Sequence, residues 1–579
     1  MAKKSKQQKS GLTALFKYAE IKKSLLTTGL IFSVLSAALS LVFPLFIANL
    51  IDSFRKHFSL PLVLAVIVTL LFSTLFSVLN SYTMGKASQV FIASIRKKAS
   101  ARLMNIPIKF FTDKQSGEIS NHIANDTQSI DLLIRQNVSS FISGVILVIG
   151  SIVILFLINW SLTLIVLLAL IAVFLILSPI SNIQNKTSAS LQSELGHFSS
   201  HLNQVASEIR MIKSFNGQES QKEKLDDSVN RLYRFNMKVL KINSLLDPIE
   251  YTILFSSIFF VLIIGGLMVS SSGMTIGALV SFFIYFLQIM TPISSIAQTI
   301  NQFQSANGAS KWLVDLLKTG EETDNQQVVP TGTFASPLVF DQVSFAYNPT
   351  ADVLSNLNFK IPAGSVTAFV GPSGGGKSTI ISLIEKFYLP SKGELSMAGK
   401  NIQNFGLHYW RDHVAYVPQQ GSVLVGTLRE NLTIGLKKEV SDEQINQALK
   451  DASAFDFVEK LPKKLDTDLS ERGANLSGGQ LQRIMIARAF LKQADIYIFD
   501  EATASLDSQS EFFIQQAIDK IKAKATIIMI AHRLATVKNA DQILFLDHGQ
   551  ITGEGTHDEL YQTHPLYRKY VQEQLLKQG

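Results

Sequence analysis

The chain has 579 residues and no cysteine, with 47% hydrophobic residues, 17% charged residues and a formal net charge of +8. The absence of cysteine excludes disulfides, thiol chemistry and cysteine-ligated metal sites, and the length predicts several domains. The positive excess falls where it would sort a membrane topology, so it calls for no nucleic-acid partner.

Residues 1–23 carry Lys3, Lys4, Lys6, Lys9, Lys17, Lys22 and Lys23 and lack the apolar stretch of a signal peptide. They read as a basic amphipathic helix at the membrane interface. Residues 24–310 follow as a transmembrane domain. Ser24–Ile51, Phe58–Gly85, Gln136–Asn185 and Tyr251–Ser310 contain no Asp, Glu, Lys or Arg. A bilayer core takes about 20 apolar residues per helix, so the two shorter runs hold one span each and the two longer runs hold two. The longer runs would reverse near Asn159-Trp160 and near Ser270-Ser271-Ser272-Gly273, which predicts six transmembrane helices. Buried helices of a soluble protein fit such long charge-free runs poorly. Arg96, Lys97, Lys98 and Arg102 follow the second run, whereas the opposite side has Arg55 and Lys56 in a short turn. The bias places the N-terminus and both long connections in the cytoplasm.

Those connections, Lys86–Arg135 and Lys186–Glu250, have mixed charge and helical spacing, as at Ile209, Ile212 and Phe215. They are expected to carry the bundle into the cytosol and turn around Phe110–Asn121, with Gly117 as a break, and around Phe215-Asn216-Gly217. The turns are candidates for docking on a cytoplasmic engine, although solvated helix turns would have the same composition.

A polar linker is expected over 311–337, and 338–579 alternates strand and helix signals as a soluble α/β domain does. Ser365–Val370 reads as a buried strand that runs into Gly371-Pro372-Ser373-Gly374-Gly375-Gly376-Lys377-Ser378 and then into a helix from Thr379. Strand, glycine loop and helix form the context that confirms a phosphate-binding P-loop. The glycines let backbone N–H groups curl around a phosphate, Lys377 supplies a charge to the β- and γ-phosphates of ATP, and the Ser378 hydroxyl can ligate Mg²⁺. A second Mg²⁺ contact is expected from a carboxylate ending a hydrophobic strand, and Ile496–Phe499 leads into Asp500. Glu501 then lies where it could polarise the attacking water. Taken alone, an Asp-Glu pair at a strand end is more often a solvated terminus.

About a hundred residues after the P-loop come Leu476-Ser477-Gly478-Gly479-Gln480, followed by an amphipathic pattern through Arg488. A serine and two glycines opening a helix can present a hydroxyl and N–H groups to a second phosphate position.

With these motifs the chain resembles the ATP-binding cassette (ABC) transporters over nearly its whole length, in the exporter-type half-transporter arrangement of bacterial homodimeric multidrug exporters. The implied fold is an ABC exporter membrane domain of six helices fused to a P-loop NTPase. By this resemblance Leu476–Gln480 is the family signature, Tyr347 stacks on adenine, and Gln419 senses Mg²⁺ and the membrane domain, with adjacent Gln420 as an alternative. Ser505-Leu506-Asp507 matches the D-loop, and His532 matches the switch histidine at the γ-phosphate. His532 taken alone would more often be an ordinary surface histidine. Asp468–Gly473 matches the exporter-specific segment that touches the partner. Ser373, Gly374, Gly375, Gly376 and Thr379 belong to the nucleotide cradle. The resemblance implies that the signature of one subunit covers the ATP on the other subunit's P-loop. The chain shows no internal duplication, so a second copy is the expected partner, with an intact heterologous partner left open.

Cargo is written less clearly. The apolar runs carry almost no ionisable group, and Phe282, Phe283, Tyr285, Phe286, Gln288, Gln298, Asn301 and Gln302 offer aromatic and amide surface. This suits hydrophobic or amphipathic small molecules within membrane lipid, and helix packing explains each residue singly just as well. Multidrug export is the expectation. The alternatives are a lipid flippase, a dedicated peptide or natural-product exporter, for which no preceding peptidase domain is seen, and a membrane-tethered regulatory ATPase.

Overall fold

The structure is a computed structural model. It describes residues 11–576 apart from 55–57, 113, 115, 272, 323, 325–331, 349–350, 420, 471–472, 502–511, 513–515, 517, 523 and 532–536, and apart from some side chains within the long helices. The chain divides into two compact units: Met1–Leu103 with Gly117–Lys318, and Met104–Ser116 with Thr319–Gly579.

The first unit is helical. It contains α1 (Gly11–Tyr18), α2 (Lys23–Ser53) and α3 (Leu60–Asn105), whose last residues pass into the second unit. Helix α4 (Lys109–Thr112) belongs to the second unit, and the first resumes with α5 (Ser116–Asn121), α6 (Thr127–Leu132) and α7 (Val138–Ile158). Single π turns at His122–Asp126 and Leu133–Asn137 join these last three. The unit continues as α8 (Trp160–Ser207), α9 (Ile209–Ser214), α10 (Gln218–Ser270) and α11 (Ile276–Lys318). The reversals fall where charge-free runs were expected to fold back. Asn159 leaves the helical region at φ −158°, and its side chain accepts from Leu162 N at 3.0 Å to start α8. Between α10 and α11, Gly273 N donates back to Met268 O at 2.9 Å.

Among the described residues, four stretches are long and apolar enough to cross a membrane: Lys23–Ser53, Leu60–Asn105, Ile119–Ile158 and Gln218–Ser270. Ile276–Met290 is a shorter apolar stretch. The 53 residues of α10 extend about 80 Å at 1.5 Å per residue, far beyond a hydrocarbon core of about 30 Å. Its N-terminal part is the polar end.

Packing within the first unit refines the reading at its two ends. Leu12 and Leu15 of α1 are buried among Phe91, Ile95, Leu313 and Leu317, so part of this helix packs on the helical unit, while its Phe16 is exposed. The linker start expected at 311 falls inside α11, because Leu313, Val314 and Leu317 extend its buried stripe to Lys318. In α9 only Ile212 is buried; Ile209 and Phe215 are exposed. The chain turns after it at Asn216, with φ +52°.

The second unit holds β1 (Leu338–Phe345), β2 (Leu354–Ile361), β3 (Val366–Val370), α12 (Lys377–Ile384), β4 (Lys392–Met397) and β5 (Lys400–Asn401). Next come α13 (Leu407–Asp412), β6 (Val414–Val417), β7 (Gly426–Thr427), α14 (Leu428–Thr433), α15 (Asp442–Asp451) and α16 (Phe455–Glu459). β8 (Asp468–Leu469), α17 (Gly478–Lys492), β9 (Ile496–Asp500), β10 (Thr526–Ile530), β11 (Gln542–Asp547) and β12 (Gln550–Gly555) lead to α18 (His557–Thr563) and α19 (Pro565–Leu576). One sheet has the order β2-β1-β4-β5 and is antiparallel. The other has the order β12-β11-β3-β10-β9-β6, parallel except for its β12 edge.

Every residue of β3, β9 and β10 is buried, as expected of parallel strands covered on both faces. Val366, Ala368 and Val370 face one core with Ile484 and Leu449, while Phe369 faces the other with Phe340 and Ile380. Open parallel sheets bind ligands beyond their strand carboxyl ends, and the carboxyl ends of β3 and β9 carry the candidate residues.

Candidate ATP site

The loop between β3 and α12 owes its shape to contacts that a side chain would block. A Cβ on Gly371, at φ +149°, would lie 1.9 Å from the carbonyl oxygen of Leu546 on neighbouring β11. Gly376, at φ +103°, caps the N-terminus of α12, so the first N–H groups of that helix have no intrahelical acceptor. A Cβ on Gly374 would meet nothing within 4 Å; its demand is the backbone turn at φ +81°. Gly375 N donates to Pro372 O at 3.2 Å, which closes the loop.

Lys377 is 6% exposed, and its Nζ donates to Gly371 O and Pro372 O, each at 2.9 Å. Burial pushes its pKa down, and the carboxylates of Glu501 and Asp500 oppose that shift. The three groups therefore sense one another. A buried ammonium held by its own loop's carbonyls, at a helix N-terminus, suits a phosphate anion. Ser373 and Ser378 are exposed, and the buried Thr379 shares a 3.2 Å hydrogen bond with the hydroxyl of Tyr347. Tyr347 is 38% exposed and is held edge-on against Phe345 and Tyr388 at 4.9 and 5.1 Å between ring centroids, beside the P-loop helix.

Strand register brings the carboxylates to the same edge. Phe369 aligns with Ile530, and Ile530 with Asp500. Two inter-strand steps of about 4.8 Å thus separate the ends of β3 and β9. Asp500 is buried and accepts from the Tyr416 hydroxyl at 3.1 Å. Burial and the Asp500 carboxylate both raise the Tyr416 pKa, keeping it a neutral donor. Glu501 follows at φ +46°, a left-handed conformation uncommon for a non-glycine residue. Its N–H donates to Ile530 O at 3.1 Å, and its carboxylate accepts from Gln419 Nε2. Gln419 is therefore the amide at the carboxylate edge, while Gln420 lies outside the described residues. His532, Ser505-Leu506-Asp507 and Glu471-Arg472 also lie outside them.

No group of three or more His, Cys, Asp or Glu side chains that could hold a metal occurs among the described residues. Ser378, Gln419 and Asp500 supply oxygen donors with one carboxylate. This donor set fits Mg²⁺, which completes its octahedron with phosphate oxygens and water.

Ser477 caps α17. Its hydroxyl accepts from Gln480 N at 3.2 Å, and Gln480 Oε1 accepts from Ser477 N at 2.9 Å. Gln480 is thus spent on the cap, whereas the N–H groups of Gly478 and Gly479 open the helix without intrahelical acceptors. Helix α17 packs on β6, α14 and α15, and β6 lies three strands from β3. The motif therefore opens a helix that packs on the sheet's edge strand, three places from the strand that leads into the P-loop.

Sequence reasoning missed two members of the site. Tyr416 aligns Asp500, and its signal was a lone hydroxyl in the apolar strand Val414–Val417. Leu546 backs the P-loop through its carbonyl, a contact set by strand pairing that leaves no local trace.

A family model for the ABC transporter transmembrane region matches residues 26–293, and one for the ABC transporter matches residues 354–504. A "Multidrug resistance ABC transporter ATP-binding and permease protein" of Lactococcus lactis is 35% identical over 551 residues, covering 94% of this chain and 92% of that protein. An "ATP-dependent lipid A-core flippase" of Haemophilus influenzae is 33% identical over 498 residues, covering 85% and 84%. An uncharacterised ABC transporter ATP-binding protein of Bacillus subtilis is 30% identical over 583 residues, covering 99% and 96%.

Proposed function

The chain belongs to the ABC transporter family as a multi-pass membrane protein with an ATP-hydrolysing domain, and from that premise we propose that it exports hydrophobic and amphipathic compounds as a homodimer. The observation that carries the cargo class is the end-to-end similarity to the Lactococcus multidrug protein. Apolar runs with almost no ionisable group support it. In this reading six spans cross the bilayer, with the N-terminus and ATPase domain in the cytoplasm.

Lys377 and the N–H groups of Gly374, Gly376, Lys377 and Ser378 hold the ATP phosphates, and the Tyr347 face takes the adenine. Ser373 lines the loop. Ser378, Gln419 and Asp500 would hold Mg²⁺, which when bound neutralises phosphate charge. Glu501 accepts the proton of the attacking water while Gln419 holds the carboxylate in place, and His532 serves the γ-phosphate. Ser477, Gly478 and Gly479 contact the nucleotide on the second copy, with Gln480 fixing their helix start. The placement of this motif's helix on edge strand β6, three places from the P-loop strand β3, supports pairing across two chains. ATP favours the closed pair of ATPase domains, and that differential affinity drives the cavity outward.

A dye-uptake assay in inside-out vesicles tests the proposal. Uptake should require ATP and vanish in Glu501→Gln, which keeps ATP binding while turnover falls by about 10²–10⁴-fold. Near-normal turnover in that variant would sink the assignment of Glu501. The Haemophilus relative motivates one second reading: no dye moved, but labelled lipid translocated in liposomes, identifies a flippase.

A further inference from the structure

Between Lys318, where α11 ends, and β1 the chain makes a compact set of polar contacts that the ATP site does not use. Glu322 forms a two-pronged ion pair with Arg411 of α13, with Oε2 to Nη1 at 2.7 Å and Oε1 to Nη2 at 3.0 Å. Both side chains are mostly buried, at 20% and 26% exposed. The backbone of Glu322 is engaged as well, since its N–H donates at 2.8 Å to the carbonyl of Asn105, the last residue of α3. Two residues on, the Asp324 carboxylate accepts from Leu407 N, the first amide of α13.

The other side of α13 grips the P-loop helix. Trp410 Nε1 donates to Ile384 O at 2.7 Å, and Arg411 donates to Glu385 O at 3.3 Å and Lys386 O at 3.4 Å. These are successive carbonyls at the C-terminus of α12, where unsatisfied acceptors and the helix dipole favour a cation. Helix α12 is eight residues long, about 12 Å, and begins at Lys377. One guanidinium thus joins three elements: the segment leaving α11, the end of α3 through Glu322, and the helix that presents the phosphate-binding lysine.

We infer that Glu322 and Arg411 form a positioning clamp that couples the membrane helices α3 and α11 to the P-loop helix within one chain. Neither residue touches nucleotide. The inference rests on the reading of the chain as an alternating-access exporter. An ion pair in which both prongs and the backbone are engaged resists sliding, so displacement of the α3 and α11 ends is passed to α12. With the pair broken, the ATP site remains but stops reporting to the membrane domain.

The test is a double-mutant cycle on the full-length dimer in liposomes, using Glu322→Gln, Arg411→Gln and the double variant. The readout is the fluorescence change on ATP addition of a polarity-sensitive probe on a single cysteine replacing Ser271, in the turn between α10 and α11. The cysteine-free chain gives this label a unique site. Each single variant should weaken the ATP-driven signal about fivefold or more, the lower end of typical coupling, with ATP affinity and basal hydrolysis near wild type. The double variant should lose no more than either single one, because the two residues act as a unit. Full signal in Glu322→Gln, or additive losses, overturns the clamp. Equal loss of ATP affinity would mark a folding defect of α12 and also overturn it. A wild-type chain with no ATP-driven signal refutes alternating access itself, whereas a wild-type signal without dye transport refutes only the cargo.

Discussion

The two units bury polar side chains of different kinds. In the membrane unit the buried polar residues among those described are all Ser or Thr, including Thr69, Ser88, Thr163, Ser281 and Ser310. Most bond within their own helix: Thr69 Oγ1 donates to Ala65 O at 2.7 Å, and Thr163 Oγ1 to Asn159 O at 2.7 Å. Such hydroxyls satisfy themselves and ask nothing of a ligand. The ATPase unit buries Lys377, Asp500 and Glu385. Burying a charge is costly without a partner, so each of these marks a designed environment. The chemistry of ATP is therefore written in individual residues, whereas the described buried polar groups of the membrane unit are uncharged hydroxyls.

Removing one buried charge from the ATP site should have the largest effect. Lys377→Ala should weaken nucleotide binding by about 10–100-fold, the range expected for a lost charge-assisted hydrogen bond of roughly 1.5–3 kcal/mol. Photolabelling with an ATP analogue at graded concentrations reads it, and unchanged affinity would remove Lys377 from the phosphate cradle.

In the membrane unit the corresponding weak points are close approaches between helices. A Cβ on Gly277 would lie 2.1 Å from Ala48 O and 2.8 Å from Asp52 Cγ, where Gly277 N donates to Asp52 Oδ1 at 2.9 Å. The obstacle is backbone, so α2 and α11 must separate. Gly277→Ala should destabilise the chain by about 1–3 kcal/mol, the usual penalty of overpacking. A lowered melting temperature in detergent with unaltered ATP affinity is the expected result. An unchanged melting temperature would mean that this contact is loose.

The same contrast explains what could be read from the sequence. Charge-free runs and the P-loop are local statements: the first needs only a hydrocarbon solvent, the second only glycines ahead of a lysine at a helix start. The turn at Asn159 was legible because the run was twice the length of a span. Tyr416 on Asp500, the Leu546 carbonyl behind Gly371 and the Glu322–Arg411 pair all depend on elements distant in sequence meeting across a sheet or a helix end. The expected linker starts at Lys311, the first charge after a long apolar run, whereas α11 runs on to Lys318. The buried stripe of Leu313, Val314 and Leu317 continues beyond Lys311.

Glu385 sharpens the comparison because its charge is buried without serving nucleotide. It is 5% exposed, and its Oε1 is buried with no hydrogen-bond partner. Burial pushes its pKa up to about 7, against the opposing pull of Lys492 and Arg411. A carboxyl whose folded pKa exceeds its unfolded value near 4.5 favours the folded state at low pH. That contribution fades as pH rises toward about 7 and is gone above it. Across this window the group should lower stability by about 1.4 kcal/mol per pH unit. Glu385→Gln keeps the shape and removes the titration. The variant should therefore melt at nearly constant temperature from pH 5 to 8, where wild type declines, and should exceed wild type above pH 7. Parallel melting curves for the two proteins across that range would show that Glu385 ionises freely in the folded chain.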